Sequence, residues 1–389
     1  MRRKVRLQSD FTKIPASSLQ NAGQKFQKTE EANMRKLKLA VIGQGRSGRN
    51  IHGLFYKSEQ NDIIDVVAVV EHDEFRRERA KEEYPGCEVY ADYTELFGRT
   101  DIDLVVNASF SQMHYPVTKD LLAHGFNVMV EKPFARNYYE CSDLIKTAKD
   151  NNVVLAVFQQ TFFAPFYTEV KKIIASGKLG DLLQVNIRYN GLARRWDWQT
   201  LQSKMAGSVY NTGPHPIGLA LDFLGFDDNF RVEYSKLAKA LTSGDAEDYA
   251  KIILTAPNKP VVDVEINSTD AYSPYNLKLQ GTRGTLVCTY SDYKMTYVVV
   301  EENEPRPVIE EFLKDDEGNP IYCRDNLIKH EEEGKFEGTA FNVAVDKIYH
   351  MVYDAITAGK PMEVNAEMAA KIVNVIETVH AQNPMPVLF

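Results

Sequence analysis

The chain predicts a doubly wound α/β domain followed by an α+β domain with a large open, mostly antiparallel sheet. Three observations carry this reading. Short, nearly continuous apolar segments alternate with helical ones up to about residue 160, a glycine-rich turn follows the first of them, and beyond it apolar and polar residues alternate. Unbroken apolar strands suit a parallel sheet covered on both faces, whereas alternation suits an antiparallel sheet with one covered face.

In chain order, strands are expected at 37–42, 63–73, 102–109, 127–133 and 153–160. Helices are expected after the glycine turn and at 74–84, 115–125 and 138–152. In the second half, strands are expected at 182–190, 248–256, 261–268, 285–290 and 293–300, and helices at 165–176, 214–224, 341–358 and 366–380. Residues 301–337 are charged and irregular and read as a surface excursion. The domains therefore run 35–160 and 161–389, preceded by a basic, polar extension over 1–34 that reads as a tail or an oligomer arm. That extension lacks the apolar stretch of a signal peptide.

The turn after the first strand is Gly43-Gln44-Gly45-Arg46-Ser47-Gly48, a GxGxxG pattern. In a Rossmann domain such glycines permit a tight turn, close backbone approach to a pyrophosphate and close helix packing, and helix N-terminal amides then face the phosphates. Gly43, Gly45, Arg46, Ser47 and Gly48 are thus candidate cofactor contacts. Glu71 ends the second strand, where a carboxylate accepts from an adenosine ribose diol and repels a 2′-phosphate. NAD is expected over NADP, with Arg76 or Arg77 as the residues able to reverse that preference. His72 and Asp73 read as solvated or helix-capping residues.

The formal charge of -8 argues against nucleic-acid or anionic-membrane partners, and no apolar run approaches the roughly 18 residues of a membrane span. Cys87, Cys141, Cys288 and Cys323 are scattered without a CxxC pair, as expected of reduced thiols in the cytoplasm. Neither HExxH nor CxxC is present, and His330 lies in a charged run, so no metal is expected.

"VIGQGRSG", "HGFNVMVEKPFA", "ASGKLGDLLQVNIRY", "GSVYNTGPHPIGLALDFLG", "LQGTRGTLVC" and "ITAGKPMEV" together resemble the Gfo/Idh/MocA oxidoreductases over residues 37–389. The most specific piece is Glu131-Lys132-Pro133. The resemblance implies that Lys132 stands beside the nicotinamide as base or electrostatic catalyst, that Glu131 orients it or lies near the cofactor, and that the Lys-Pro bond is often cis. It further implies that His215, in Asn211-Thr212-Gly213-Pro214-His215, relays a proton beside the substrate hydroxyl. Asn211 replaces the family aspartate and holds a hydroxyl without taking a proton, while Gly218 replaces a second acid. His114 matches a family histidine near the cofactor ribose, and Ser109, a further cofactor-contact candidate, begins a Ser109-Phe110 pair that replaces the usual Thr-Pro. Thr161 and Phe162 replace arginines common in relatives, leaving Arg194, Arg195 or Lys204 as cations for an anionic substrate group. Trp196, Trp198 and Tyr210 either border a sugar or pack as core or interface aromatics.

The implied activity is NAD-dependent hydride transfer at a secondary hydroxyl of a sugar, a glycoside (with C3 a candidate position) or a cyclitol. A redox-neutral NAD-dependent glycoside hydrolase and a non-catalytic NAD-binding sugar sensor are the alternatives. A homo-oligomer formed through the second sheet is expected.

Overall fold

Fourteen strands build two sheets in the computed structural model, which describes residues 35–309 and 311–389. The extension read as a tail or arm lies outside the described residues. Strands β1 (Leu37–Ile42), β2 (Ile64–Val70), β3 (Glu88–Tyr90), β4 (Leu104–Asn107), β5 (Val128–Val130) and β6 (Leu155–Val157) form a parallel sheet in the order β3-β2-β1-β4-β5-β6. The central strands are apolar because both faces are covered: all of β4, β5 and β6 is buried. Helices α1 (Glu74–Glu83), α2 (His114–Ala123) and α3 (Tyr138–Asp150) are the crossovers. Asp73 caps α1 by accepting from Arg76 N, and Asn137 caps α3 by accepting from Glu140 N. With this strand order the topology reverses between β1 and β4, so ligands are expected outside the carboxyl ends of those strands.

After α4 (Pro165–Ala175), β7 (Leu182–Asn190) enters a second sheet with α5 (Pro214–Phe223) packed behind it. The other members are β8 (Arg231–Ala238), β9 (Tyr249–Thr255), β10 (Val261–Asn267), β11 (Leu277–Gly281), β12 (Gly284–Cys288), β13 (Asp292–Tyr297) and β14 (His330–Lys335). Their order is β14-β13-β12-β11-β7-β10-β9-β8; only β7 and β10 pair in parallel. Ala250, Ile252, Leu254, Val262, Val264 and Ile266 alternate into the core. The opposite face carries Arg188, Lys251, Asp263 and Glu265 as an ion-pair network.

Helices α6 (Val343–Ala358) and α7 (Ala366–Gln382) return to the first sheet. Ala366, Ala369, Ala370 and Val373 of α7 share a core with Val130, Val157 and Cys141, and Tyr349 of α6 stacks on Phe55. The first domain is therefore finished by the end of the chain. The surface excursion stops short of 337, because His330–Lys335 pairs with β13 as an edge strand. No helix of the described residues is long and apolar enough to cross a membrane.

Candidate active site

The glycine turn is held as the motif predicts. Gly43 has φ +94°, and a Cβ there would stand 2.5 Å from Ala108 O. A Cβ on Gly48 would stand 1.9 Å from Gly43 O, whereas one on Gly45 would meet nothing within 4 Å. The outer two glycines serve the protein's own packing, and the middle one keeps a space clear beside the loop amides. That open cradle fits a dinucleotide pyrophosphate. Glu71 accepts from Gln44 N at 2.8 Å and from Asp73 N at 3.1 Å, with Arg76 Nη1 3.5 Å away. Arg77 is turned inward onto the carbonyls of Glu71 and His72.

At the end of β4, Asn107 Oδ1 accepts from Ser109 N and Oγ, while its amide donates to Thr118 Oγ1. His114 is buried with Nδ1 2.6 Å from Pro133 O and Nε2 3.3 Å from Ser109 O. Burial lowers its pKa, so a neutral ring donates through Nδ1 and ties the β4 loop to the turn after β5. This bracing fixes the ring between the two loops.

Lys132 leaves the carboxyl end of β5 between β4 and β6, and the Lys132–Pro133 bond is cis. Its Nζ donates to Asn211 O at 2.8 Å, spanning the crevice to the one-turn helix Ser208–Asn211. Burial lowers its pKa; Glu131 opposes this, and Arg46 and Arg195 add to it. Of the three cations considered for an anionic substrate, Arg195 is close enough for its charge to lower the Lys132 pKa. Its guanidinium is held by Asp197 and Gln199. The side-chain amide of Asn211 has no protein partner among the described residues and is free to meet a hydroxyl.

His215 sits at the start of α5 with Nδ1 2.6 Å from Thr161 Oγ1. Burial, then Lys132, pushes its pKa down to about 3. The residue as a whole is only partly buried, yet its surroundings keep the ring neutral near pH 7. The ring is therefore a neutral hydrogen-bonding group rather than a standing imidazolium. Thr161 Oγ1 thereby engages Nδ1 of the ring.

The two other departures from the family pattern are coupled. A Cβ on Gly218 would lie 3.0 Å from Ile372 Cδ1 and 3.1 Å from Phe162 Cζ. Phe162 thus occupies the place that an acid at 218 would need. Gly218→Asp is expected to destabilise the fold by about 1–3 kcal/mol through overpacking and burial of a carboxyl, read as a lowered melting temperature.

Of the aromatic candidates, Trp196 is 79% exposed. Trp198 meets Phe110 edge-on at 5.1 Å, joining the loop after β7 to the loop after β4. Tyr210 is half-buried, donates to Arg136 O at 2.8 Å and stacks on His380. It bridges the two domains with its hydroxyl already engaged.

Glu247 was not singled out from sequence, where it is one carboxylate in an unremarkable loop. Buried, it accepts from Val209 N at 2.8 Å and so anchors the one-turn helix that carries Asn211. Burial would lower the His380 pKa, but Glu247 Oε2, 3.5 Å away, raises it. A raised folded-state pKa gives a contribution that is full below the ordinary histidine value and lost as pH rises through the folded one. Wild type should accordingly lose stability relative to His380→Gln, by less than about 1 kcal/mol, on passing from mildly acidic to alkaline pH; paired melting curves check this.

No group of three or more metal-ligating side chains is present among the described residues. A cavity of about 620 Å³ beside Phe163, Lys171, Asp346 and His350 lies apart from Lys132. Its charges are largely paired, as between Lys360 and Asp354, so the crevice at the strand ends is the stronger candidate.

Strand order, glycine cradle and Lys132 define an NAD(P)-binding oxidoreductase. Residues 37–159 match the model for the oxidoreductase family with NAD-binding Rossmann fold, and residues 167–287 match the GFO/IDH/MocA C-terminal domain. The chain belongs to the Gfo/Idh/MocA family. It is 26% identical over 191 residues to the scyllo-inositol 2-dehydrogenase (NADP(+)) IolW of Bacillus subtilis, covering 49% of this chain and 52% of that one. It is 24% identical over 311 residues to the 2,7-anhydro-N-acetylneuraminate hydratase of Mediterraneibacter gnavus, covering 78% and 81%. A solved oxidoreductase, YvaA of Bacillus subtilis, superposes with a TM-score of 0.73 at 17% identity over 92% of this chain and 99% of that one; it shares the fold.

Proposed function

We propose that the protein oxidises a secondary hydroxyl of a sugar, glycoside or cyclitol, or reduces the matching ketone, with NAD as hydride carrier. The observation that carries this reading is Lys132 Nζ at the carboxyl end of β5, pinned 2.8 Å from Asn211 O in the crevice. The bound nicotinamide supplies the chemistry of accepting or returning a hydride. The chain's own residues handle the proton and the orientation. A desolvated amine at Lys132 takes the hydroxyl proton, or polarises the carbonyl in reverse. Neutral His215, fixed by Thr161, hydrogen-bonds the same oxygen. Asn211 orients a neighbouring hydroxyl.

Glu71 supports NAD over NADP, since both of its oxygens lie at the end of β2 where a 2′-phosphate would meet their charge. Arg76, 3.5 Å from it, is the residue whose swing would admit NADP. Titration with both cofactors tests the preference, and tighter NADP binding would overturn it. The polar outer face of the second sheet, around Arg188 and Asp263, is the proposed homo-oligomer surface, read by light scattering.

A redox-neutral reaction is the second reading, supported by the relative named a hydratase and by Asn211, which cannot hand a proton onward. The test is incubation with NAD and a panel of sugars, glycosides and cyclitols. NADH appearing with a keto product supports the dehydrogenase, whereas a changed or cleaved sugar without NADH supports the redox-neutral reaction. Bound cofactor with no changed sugar overturns both.

A further inference from the structure

Glu131 does not face Lys132. Its carboxylate is buried, with Oε2 accepting from the Lys132 backbone N at 3.0 Å and Oε1 standing 3.2 Å from His52 Nε2. The N–H is not aimed squarely at that oxygen, yet neither atom has another partner among the described residues. His52 is itself fully buried. Its Nδ1 lies 2.7 Å from Tyr349 Oη, which lies 2.5 Å from Tyr56 Oη, and its ring packs 4.2 Å from Phe158. Tyr349 belongs to α6, so the end of the chain braces a histidine of the glycine-turn segment, and that histidine holds the carboxylate next to the base. Among the described residues no ion pair joins Glu131 to Lys132, although they are adjacent in sequence.

We propose that His52 is a positioning residue: a clasp, braced by Tyr349, that holds the Glu131 carboxylate away from Lys132 Nζ and leaves that amine free for the substrate. A buried carboxylate without a partner is costly and takes the nearest cation. Without His52 that cation is Lys132, the amine beside it. The charged and titratable groups around the pair are Arg46 from the glycine turn, Arg195 from the loop after β7, His215 from α5 and His114 from α2. Among the described residues, only His52 and the Lys132 backbone N lie within pairing distance of the carboxylate. Burial pushes the Glu131 carboxyl up, but His52, Lys132 and His114 outweigh it and hold it at about 2, so the carboxylate is charged at every working pH. Its direction therefore matters to the lysine.

The inference rests on Lys132 being the reactive amine, but its test needs no substrate. The pH dependence of Lys132 acetylation by acetic anhydride, read by peptide mass spectrometry, reports the amine's own titration. In His52→Phe the released carboxylate captures the ammonium, and the labelling midpoint should rise by at least about one pH unit. His52→Gln, whose amide can still donate to Glu131, should restore the wild-type midpoint. Tyr349→Phe removes only the brace and should shift the midpoint the same way by less. An unchanged or lowered midpoint in folded His52→Phe overturns the proposal. If that variant does not fold, Tyr349→Phe decides: an upward shift supports the clasp and an unmoved midpoint overturns it. Failure of the sugar panel would leave this result untouched, so the two readings fail separately.

Discussion

Lys132→Met is expected to lower kcat for a substrate found in the panel by about 10²- to 10⁴-fold, the range for loss of a positioned general base, while NAD still binds. The argument is local. Lys132 is the cation delivered by β5 into the mouth of the parallel sheet, and burial lowers its affinity for a proton. Methionine keeps the length and packing of the side chain and removes only the amine. The bond to Asn211 O is lost as well, which contributes about 0.5–1.5 kcal/mol to stability, too little to unfold the protein. Steady-state rates and a cofactor titration on the same preparation separate the two effects. A rate within tenfold of wild type would remove Lys132 from the chemistry.

The second large effect lies in the glycine turn and splits between two neighbouring positions. Gly48→Ala puts a methyl 1.9 Å from Gly43 O, so the turn must shift. A loss of about 1–3 kcal/mol in stability and of at least about tenfold in cofactor affinity is expected. Gly45→Ala puts its methyl in open space. Stability should stay within about 0.5 kcal/mol of wild type, yet affinity should still fall, because the methyl stands where a pyrophosphate must approach the amides. Thermal melting and NAD titration of both variants check this. Unaltered affinity in Gly45→Ala would mean that the cofactor does not sit against this loop.

Much of the first sheet was legible because its strands bury both faces and are therefore apolar throughout, as in β4 and β5. Among the missing elements β11 did show an apolar alternation, with Leu277 and Leu279 buried, but it is only five residues long; the others had little apolar signature to show. Strand β14 is His-Glu-Glu-Glu-Gly-Lys and is recognised only by its backbone pairing to β13. β3 is a three-residue edge, and β8 is an edge strand whose buried positions are few. The return of α6 and α7 to the first sheet was equally hidden, since periodicity marks an apolar face and not the surface that covers it. At the site, spacing alone marked the glycine cradle and Glu71, whereas Lys132 and His215 were placed by family resemblance. Neither could reveal what those groups touch. Glu131 turns inward to His52, His114 is absorbed between two carbonyls, and His215 is held neutral by burial and Lys132. These are tertiary contacts between residues far apart in the chain. Phe162 against Gly218 is of the same kind: two departures that looked separate in sequence fill one volume.

The central claim is that a hydride passes between a secondary carbon and the nicotinamide under the control of Lys132. Its most direct test is to incubate the protein with NAD and carbon-deuterated monosaccharides and cyclitols, then weigh the nicotinamide cofactor by mass spectrometry. Deuterium in the cofactor with wild type and none with Lys132→Met is the predicted result. An unlabelled cofactor with wild type, under conditions where NAD is shown to be bound, would contradict the account.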